Sequence, residues 1–318
     1  MKRLEEFIIE KLKISKRETK YQPKTKEELV DLIIKEIEAN GPKCSLNHID
    51  VSNITDMSYL FRGGDSTQYR GGHPVLSDFD GDISEWDVSN VTDMKYIFNN
   101  CNYTGNNGDI SDWDMSNVTD MEGMFSHSMY NGDISSWDVS NVTNMAVLFN
   151  SCPFNGKKGD ISNWDVSNVT DMSYMFMRNS YNGDISNWDV SKVTRMVGMF
   201  MVSEYNGDIS KWDVGNVEQM MGTFNSSKFT GDLSKWDVSK VTRMDNMFNS
   251  SKFNDDLSKW DVSNVEWFYA MFKDSSFSGD ISNWKINPKA KGHMNKMFEN
   301  SPLENTTPDW YNIYNIYR

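Results

Sequence analysis

The sequence is short of positive charge and has no long apolar run. Its 318 residues carry 32 Lys and Arg against 46 Asp and Glu, a net charge of −14. This balance argues against nucleic acid and anionic membranes as partners, because both are bound through basic residues. No apolar stretch approaches the roughly 18 residues that a membrane span needs, so we expect no membrane insertion. The first residues carry acids where a secretory signal would be apolar, which favours a cytoplasmic, released or virion-associated protein over an exported one.

Cysteine and histidine are also scarce. Two of the three cysteines, Cys101 and Cys152, share one position of an internal repeat, about 10 Å apart and too far for a disulfide. We expect all three thiols to be free. The four histidines share no metal-ligand spacing, and no nucleotide loop, nucleophile elbow or acid–base pair is present. The sequence therefore predicts no enzyme, no catalytic residue and no metal site.

What the chain has in abundance is one repeated phrase, such as GDISNWDVSKVTRMVGMF at 183–200. Its tryptophans recur every 24 or 27 residues: Trp86, Trp113, Trp137, Trp164, Trp188, Trp212, Trp236, Trp260 and Trp284. A fixed period of this length is typical of a solenoid. Trp86 and Val88 alternate with Asp87, which favours a short strand, and Met94, Ile97 and Phe98 fall at helical spacing. We therefore predict an α/β repeat solenoid, a right-handed coil with one short parallel strand and one short helical turn per repeat.

The apolar spacing I-x-x-W-x-V-x-x-V equals that of leucine-rich repeats. The fuller phrase GDISxWDVSNVTDMSxMFxxSxF, over about 50–303, resembles the BspA-like leucine-rich-repeat family of bacterial surface proteins. That resemblance implies a leucine-rich-repeat-like solenoid with an adhesion or binding role and no catalytic residues.

Three regions follow from the repeat boundaries. Residues 1–49 predict a helical N-terminal cap or, alternatively, a docking module, with helices at about 2–14 and 26–39. Residues 50–303 predict about ten coils: a partial first coil at 50–61, a surface-loop insertion at 62–80, and nine Trp-anchored repeats from 81. Residues 304–318 predict a capping helix that begins after Thr307 as its N-cap, with Pro308 at its first position.

Two sets of columns run along the predicted stack. The Trp column is interpreted as structural core, because Trp lies in phase with Val; the alternative is a row of exposed rings that binds glycans. The Asp columns, one that follows the repeat Trp from Asp87 to Asp261 and one at the Gly-Asp position from Asp82 to Asp280, would place like charges about 5 Å apart. Backbone capping in Asx turns would offset the repulsion, and Ca²⁺ between coils is the alternative; no other cofactor is expected.

The variable positions are the candidate binding residues. On the predicted strand face, just before each Trp, they run from acidic to basic: Glu85, Asp112, Asn163, Asn187, Lys211, Lys235 and Lys259. The position before the repeat Met runs the same way, from Asp93 to Arg243 and Trp267.

These features favour a non-enzymatic scaffold for protein–protein interaction or adhesion, whose protein partner the sequence does not identify. The alternatives are a structural subunit of an assembly such as a phage particle and, less favoured, a glycan-binding repeat protein. The sequence makes no prediction of the oligomeric state.

Overall fold

The computed structural model describes residues 21–64 and 73–315. The predicted helix at about 2–14 lies outside these residues. The helical elements of the described part are α1 (Lys26–Asn40), α2 (Pro74–Ser77), a 3-10 turn (Pro288–Ala290) and α3 (Asp309–Tyr314). Nearly all of the remaining described chain is turn and extended backbone. Across the described ranges, none of the helices has the length and hydropathy to cross a bilayer.

Successive repeats stack through a ladder of backbone hydrogen bonds. Between Met172 and Arg178, every second N–H donates to a carbonyl between Arg195 and Met201 of the next repeat, at 2.7–3.0 Å. We call each such eight-residue stretch a ladder segment. There are ten: 56–63, 93–100, 120–127, 144–151, 171–178, 195–202, 219–226, 243–250, 267–274 and 293–300. The two repeats of 27 residues carry three extra residues just before Gly108 and Gly159, outside these segments, so the ladder bonds are intact there.

The prediction of a leucine-rich-repeat-like α/β solenoid with a strand in each repeat is wrong. The described residues contain no strand, and the ladder adds one isolated parallel bridge per repeat, as between Asp171 and Arg195. The alternation of Trp86 and Val88 with Asp87 does correspond to buried and exposed side chains. The backbone N–H of Trp86, however, donates to the Ile83 carbonyl at 3.2 Å. This bond closes a β-turn, so the amide that a strand would pair with its neighbour is already used.

The predicted helical turn is also wrong, although the apolar residues at its spacing do point inward. Met175 N–H donates to the carbonyl of Met172, three residues back, and Met177 donates to Tyr174 in the same way. Tyr174 and Arg178 have left-handed φ values of 57° and 50°. An α-helix needs right-handed residues and bonds over four residues. Each left-handed non-glycine residue costs about 1 kcal/mol or more, which the bonds to the next repeat offset.

The inward side chains form one continuous core of stacked columns. Phe98 and Phe125 stack with ring centroids 5.7 Å apart and an interplanar angle of 5°, and this column continues through the repeats. The nine repeat tryptophans form a second column, each only 3–4% exposed. Each indole N–H donates to a carbonyl of the preceding repeat, as from Trp188 Nε1 to the Ile161 oxygen at 3.1 Å. Burial therefore leaves no indole N–H of this column without a partner.

Helix α1 covers the first end of the stack. Thr25 caps it by accepting the Glu28 N–H, and Leu29, Ile33 and Ile37 are buried. The repeat begins earlier than residue 50, where the sequence predicted the first coil. Ser45 already forms a parallel bridge with the next repeat, and Ile49 takes the place of the first tryptophan. The spacing of the tryptophans did not reveal this repeat, because it has Ile49 where the later repeats have Trp.

The 62–80 insertion is only partly a surface loop. Residues 65–72 lie outside the described part of the chain, but α2 follows them and buries Leu76. Phe79 is fully buried and stacks on Phe61 at 4.4 Å and on Tyr103 at 6.1 Å. The insertion thus supplies the aromatic ring that other repeats carry after their ladder segment.

Helix α3 covers the other end with a copy of the repeat's own contact. Trp310 stacks on Trp284 at 6.1 Å, and its Nε1 donates to the Ile281 carbonyl at 3.0 Å. This is the bond that each repeat tryptophan makes. The helix begins at Asp309, with Pro308 at the cap position and no side-chain cap, so the predicted Thr307 cap is wrong.

The indole column gives a stability prediction. Trp188→Ala should lower the free energy of unfolding by about 3–5 kcal/mol, because it opens a cavity between stacked rings. Trp188→Phe should cost less, about 1–3 kcal/mol, since it leaves the Ile161 carbonyl without its donor. The measurement is urea unfolding followed by circular dichroism. The control is Trp267→Ala at an exposed ring, with an expected cost below about 1 kcal/mol. An equal loss in the free energy of unfolding for Trp188→Ala and Trp267→Ala would contradict the conclusion that the buried Trp column stabilises the fold.

Candidate functional site

The seven residues predicted for a strand face lie in turns. Each residue is exposed, occupies the third position of a β-turn and is followed by a buried Trp at the fourth position. The seven are Glu85, Asp112, Asn163, Asn187, Lys211, Lys235 and Lys259. They form a polar column on the surface of the stack, which we call the turn column. No strand underlies it, and none of its members lines the groove that is described below. The nine Trp rings are buried and present no face for a sugar.

Both Asp columns are capped by backbone, as the Asx-turn interpretation predicts. Asp114 Oδ1 accepts the N–H of Ser116 at 3.0 Å and its hydroxyl at 2.6 Å. Corresponding bonds recur in the other repeats, as at Asp184 and Asp237. Among the described residues, no three His, Cys, Asp or Glu side chains lie together in a way that could hold a metal ion.

These bonds hold the carboxylates in their charged form. The hydroxyl and N–H of Ser116 lower the pKa of Asp114, and the same pair of serine donors lowers the pKa in nine other repeat carboxylates. These are Asp165, Asp184, Asp189, Asp208, Asp232, Asp237, Asp256, Asp261 and Asp280. The donors thus compensate for the repulsion along the columns.

The cysteines are free. Cys101 and Cys152 are buried, and burial raises the pKa of their thiols to about 12 and about 11. Cys152 Sγ lies 3.1 Å from the Tyr130 carbonyl. Both thiols are therefore protonated near neutral pH and serve as small buried side chains.

The outward residues of the ladder segments form a second surface, the ladder face. Four columns make it: the bridge residue that opens each segment, and the residues two, three and six positions later. In the segment 171–178 these are Asp171, Ser173, Tyr174 and Met177. Small residues of the second column, such as Ser173, are buried, whereas Tyr269 in the same column is exposed. The ladder holds the backbone of this stretch, so its side chains can differ between repeats, although Asp171 and its counterparts in the first four segments also accept the N–H two residues later. The ladder face is where the repeats differ most.

A groove of about 460 Å³ lies in the C-terminal half of the ladder face. Its lining includes Tyr174, Val197, Met201, Met221, Trp267 and Tyr269. Trp267 and Tyr269 are 37% and 42% exposed, so these large rings contact solvent. An apolar groove with exposed aromatic rings is typical of a binding surface.

Polar groups hold the rings of the groove in place. The Arg243 guanidinium lies 5.3 Å from the Trp267 ring, and His293 stacks on that ring at 3.6 Å. Asp245 anchors Arg243 through a 3.0 Å bond to Nε, and the Glu266 carbonyl lies 3.1 Å from His293 Nδ1. The arginine and the histidine both lie against Trp267, so Tyr269 is the more exposed of the two rings, at 42% against 37%.

The N-terminal half of the ladder face is also aromatic, with a different charge. Tyr59 and Tyr96 stack at 5.3 Å, and the Arg62 guanidinium lies over both rings. The Tyr96 hydroxyl donates to Glu122 at 2.6 Å, and burial together with this carboxylate raises the pKa of Tyr96. Asp120 opens the same ladder segment as Glu122, and its partial burial raises the pKa of its carboxyl.

The bridge column therefore changes sign along the face. It carries acids or Asn through the first five segments, Asp56 to Asp171, and Arg, Gln, Trp and His in the last five, Arg195 to His293. Asp171 and Arg195 meet where the two halves join, at 3.3 Å.

Sequence reasoning found this charge gradient but not the groove. The sequence feature that could have indicated the groove is the stretch Glu-Trp-Phe-Tyr at 266–269, which places a second tryptophan in a repeat that already has Trp260. The helical interpretation of the segment hid the signal, because it did not show which residues between the buried ones face outward together.

The family described as "Mycoplasma protein of unknown function, DUF285" matches the chain over residues 35–157, 131–228, 154–248 and 201–310. Together these matches span the described repeats. No match was found among curated proteins or among solved structures.

The capped carboxylates predict acid sensitivity. A carboxyl whose pKa is lower in the folded chain stabilises the fold above its unfolded pKa of about 4, and this stability is lost as the pH falls through the folded pKa. We therefore expect the urea midpoint to hold from pH 7 to about 5 and to fall steeply below about pH 4.

The matched variant is Asp114→Asn with Asp189→Asn and Asp237→Asn. Asn keeps the acceptor oxygen for the serine N–H but does not titrate. The drop in urea midpoint between pH 7 and pH 3 should be smaller in this variant than in the parent chain. A parent midpoint that stays constant down to pH 3 would show that these carboxylates do not contribute.

Proposed function

The chain belongs to this DUF285 family, and we propose that it is a non-enzymatic protein-binding scaffold whose recognition surface is the ladder face. The groove between Tyr174 and Tyr269 is the centre of that surface. The repeats supply a rigid support, and the variable columns on it supply specificity. The resemblance of the repeat phrase to BspA-like surface repeats is a further reason to expect a binding role, and it stays a prediction.

The observation that carries the proposal is the presence of apolar side chains where the fold needs none. Met221 and Tyr269 stand in a column that carries Lys95, Glu122 and Asp245 in other repeats. The core is complete without them, because the inward Met and Phe columns are fully buried. Exposed apolar area is unfavourable in water unless a partner covers it.

The chemistry of the groove fits a protein better than a small substrate. Tyr, Trp, Met and Arg are the residues enriched at the centres of protein interfaces, and all four line this groove. Its titratable groups are already engaged: Asp245 with Arg243, and His293 with the Trp267 ring. Neither pair is arranged as a nucleophile with its base.

The turn column has a separate place in the proposal. Lys211, Lys235 and Lys259 are exposed and could steer an acidic partner toward the stack. They lack an apolar centre, which is why we place affinity on the ladder face and, at most, association rate on the turn column.

The test uses peptides selected from a display library on the immobilised protein. Binding of a selected peptide is measured by fluorescence anisotropy, and ¹³C-methyl methionine spectra show where it binds, since Met201 and Met221 line the groove. Met221→Glu should weaken binding at least tenfold, because it places a charge in the apolar centre. The matched control is Met129→Glu, at a methionine that is 53% exposed and outside the groove, with no expected effect.

Three results would overturn the assignment. Equal loss in both glutamate variants would show that the groove is not specific. Loss only in a Lys211→Glu, Lys235→Glu and Lys259→Glu triple variant would move recognition to the turn column. Binding on a glycan array with no selected peptide would favour a glycan-binding protein instead.

A further inference from the structure

We propose that the ladder face binds a second copy of this chain, antiparallel to the first. This inference rests on the proposed function and names the partner. The two-fold axis would lie in the interface and cross the stack between the fifth and sixth ladder segments, 171–178 and 195–202. Such an axis places each column opposite itself and reverses the order of the repeats. The first segment then faces the tenth, the second faces the ninth, and so on.

The bridge column is complementary to itself under this operation. Asp120 of one copy faces Arg243 of the other, and Asp56 faces His293. Asn144 faces Gln219, an amide opposite an amide. No carboxylate in this column faces another carboxylate. Arginine carries five N–H donors, so Arg243 can keep its bond to Asp245 and still donate across the interface.

Neighbouring registers are worse, which selects this one. An axis through the fifth segment would place Asp171 opposite Asp171. An axis through the sixth would place Arg195 opposite Arg195. The proposed axis lies between these two residues, where Asp171 and Arg195 already pair within each chain at 3.3 Å. Like charges opposite each other across a closed face are unfavourable, so the column sets the alignment.

Side-chain size is complementary next to the axis. Met221 faces Ala146, and Val147 faces Gly222. A side chain at Gly222 would find only Asn225 within 4 Å, so there is open space for Val147 of the other copy. In the outermost column Met177 faces Met201, which gives the interface an apolar centre.

The ends of the face are polar and also match. Tyr59 faces Lys296, Lys95 faces Tyr269, and both pairs join a cation with an aromatic ring. In the four columns only Glu122 and Asp245 face a like charge. Arg243 lies beside Asp245 and opposite Asp120, so its charge is placed to offset that repulsion.

The size of the face suits a dimer. Ten segments at the usual spacing of about 4.8 Å give a length of about 45 Å. With a width of roughly 15 Å, estimated from the four columns, each copy would bury on the order of 700 Å². This is close to the roughly 800 Å² per partner of a standard stable interface.

The test is a charge swap that only the antiparallel register can rescue. Sedimentation velocity of the full chain over a concentration series gives the dimer dissociation constant. Asp120→Arg and Arg243→Asp should each weaken the dimer at least tenfold, because each places like charges opposite each other. The double variant restores an Arg–Asp pair across the axis and should return the dissociation constant to within about threefold of the parent value.

The effect of the substitutions on folding is measured separately. The bridge column carries Arg195 in one repeat and Asp171 in another, so both substituted residue types already occur at this position. Asp120→Arg removes the acceptor of the Glu122 N–H, and Arg243→Asp leaves Asp245 without its cation, so we expect a lower urea midpoint with an unchanged circular dichroism spectrum. The double variant should restore the dimer without restoring the urea midpoint, which separates the contact across the axis from an effect on folding. Lys157→Glu, at an exposed lysine outside the ladder segments and the turn column, is the matched charge change outside the face and should leave the dimer unaffected.

The outcomes separate this inference from the proposed function. A parent chain that stays monomeric while selected peptides bind the groove would overturn self-association and keep the binding role. A dimer that the single swaps do not weaken, or that the double swap fails to restore, would overturn the antiparallel register. A monomer that binds no peptide would overturn both. A dimer weakened by each swap and restored by both together would support both.

Discussion

The structure depends on amide groups that cannot be satisfied within their own repeat. In the first nine ladder segments every second N–H donates to a carbonyl of the following repeat, and intervening ones such as Met175 and Met177 close β-turns. A single repeat would leave four donors exposed on one side and four acceptors on the other. Since orphaned amides cost roughly 1–3 kcal/mol each when buried, the repeats are stable only as neighbours. The long run of near-identical units follows from this requirement.

The same constraint separates the constant residues from the variable ones. Positions that fill the core or cap a turn, such as Trp188 and Asp189, hardly change between repeats. The side chains on the outside of the ladder vary more between repeats. The Asp or Asn that opens each of the first five segments also accepts the N–H two residues later, as Asp120 does from Glu122 at 2.9 Å, but Arg, Gln, Trp or His takes its place in the last five. The proposed recognition surface is therefore the ladder face, where the backbone position is fixed and the side-chain chemistry differs between repeats. That is why Met221, Asp245 and Tyr269 can occupy equivalent places in consecutive repeats.

The sequence predicted burial well and backbone geometry poorly. The period of the tryptophans, the capped Asp columns and the helix that became α1 all follow from spacing and residue type. The spacing of apolar residues predicts which side chains are buried, but it does not predict which carbonyl accepts a given backbone N–H. Tyr174 at a left-handed φ could not be anticipated, because tyrosine rarely adopts it. Gly123, Gly198 and Gly222 at the same repeat position were the available hint.

Trp310 ends the stack by imitating the unit that it follows. A cap of this kind does not depend on how many repeats stand before it, since it needs only the ring and the carbonyl of the last one. Chains of this architecture can therefore gain or lose whole units through recombination and remain closed at their end. What would change is the pattern of charges along the outside, so a change in length would alter which surfaces fit together and leave the interior as it was.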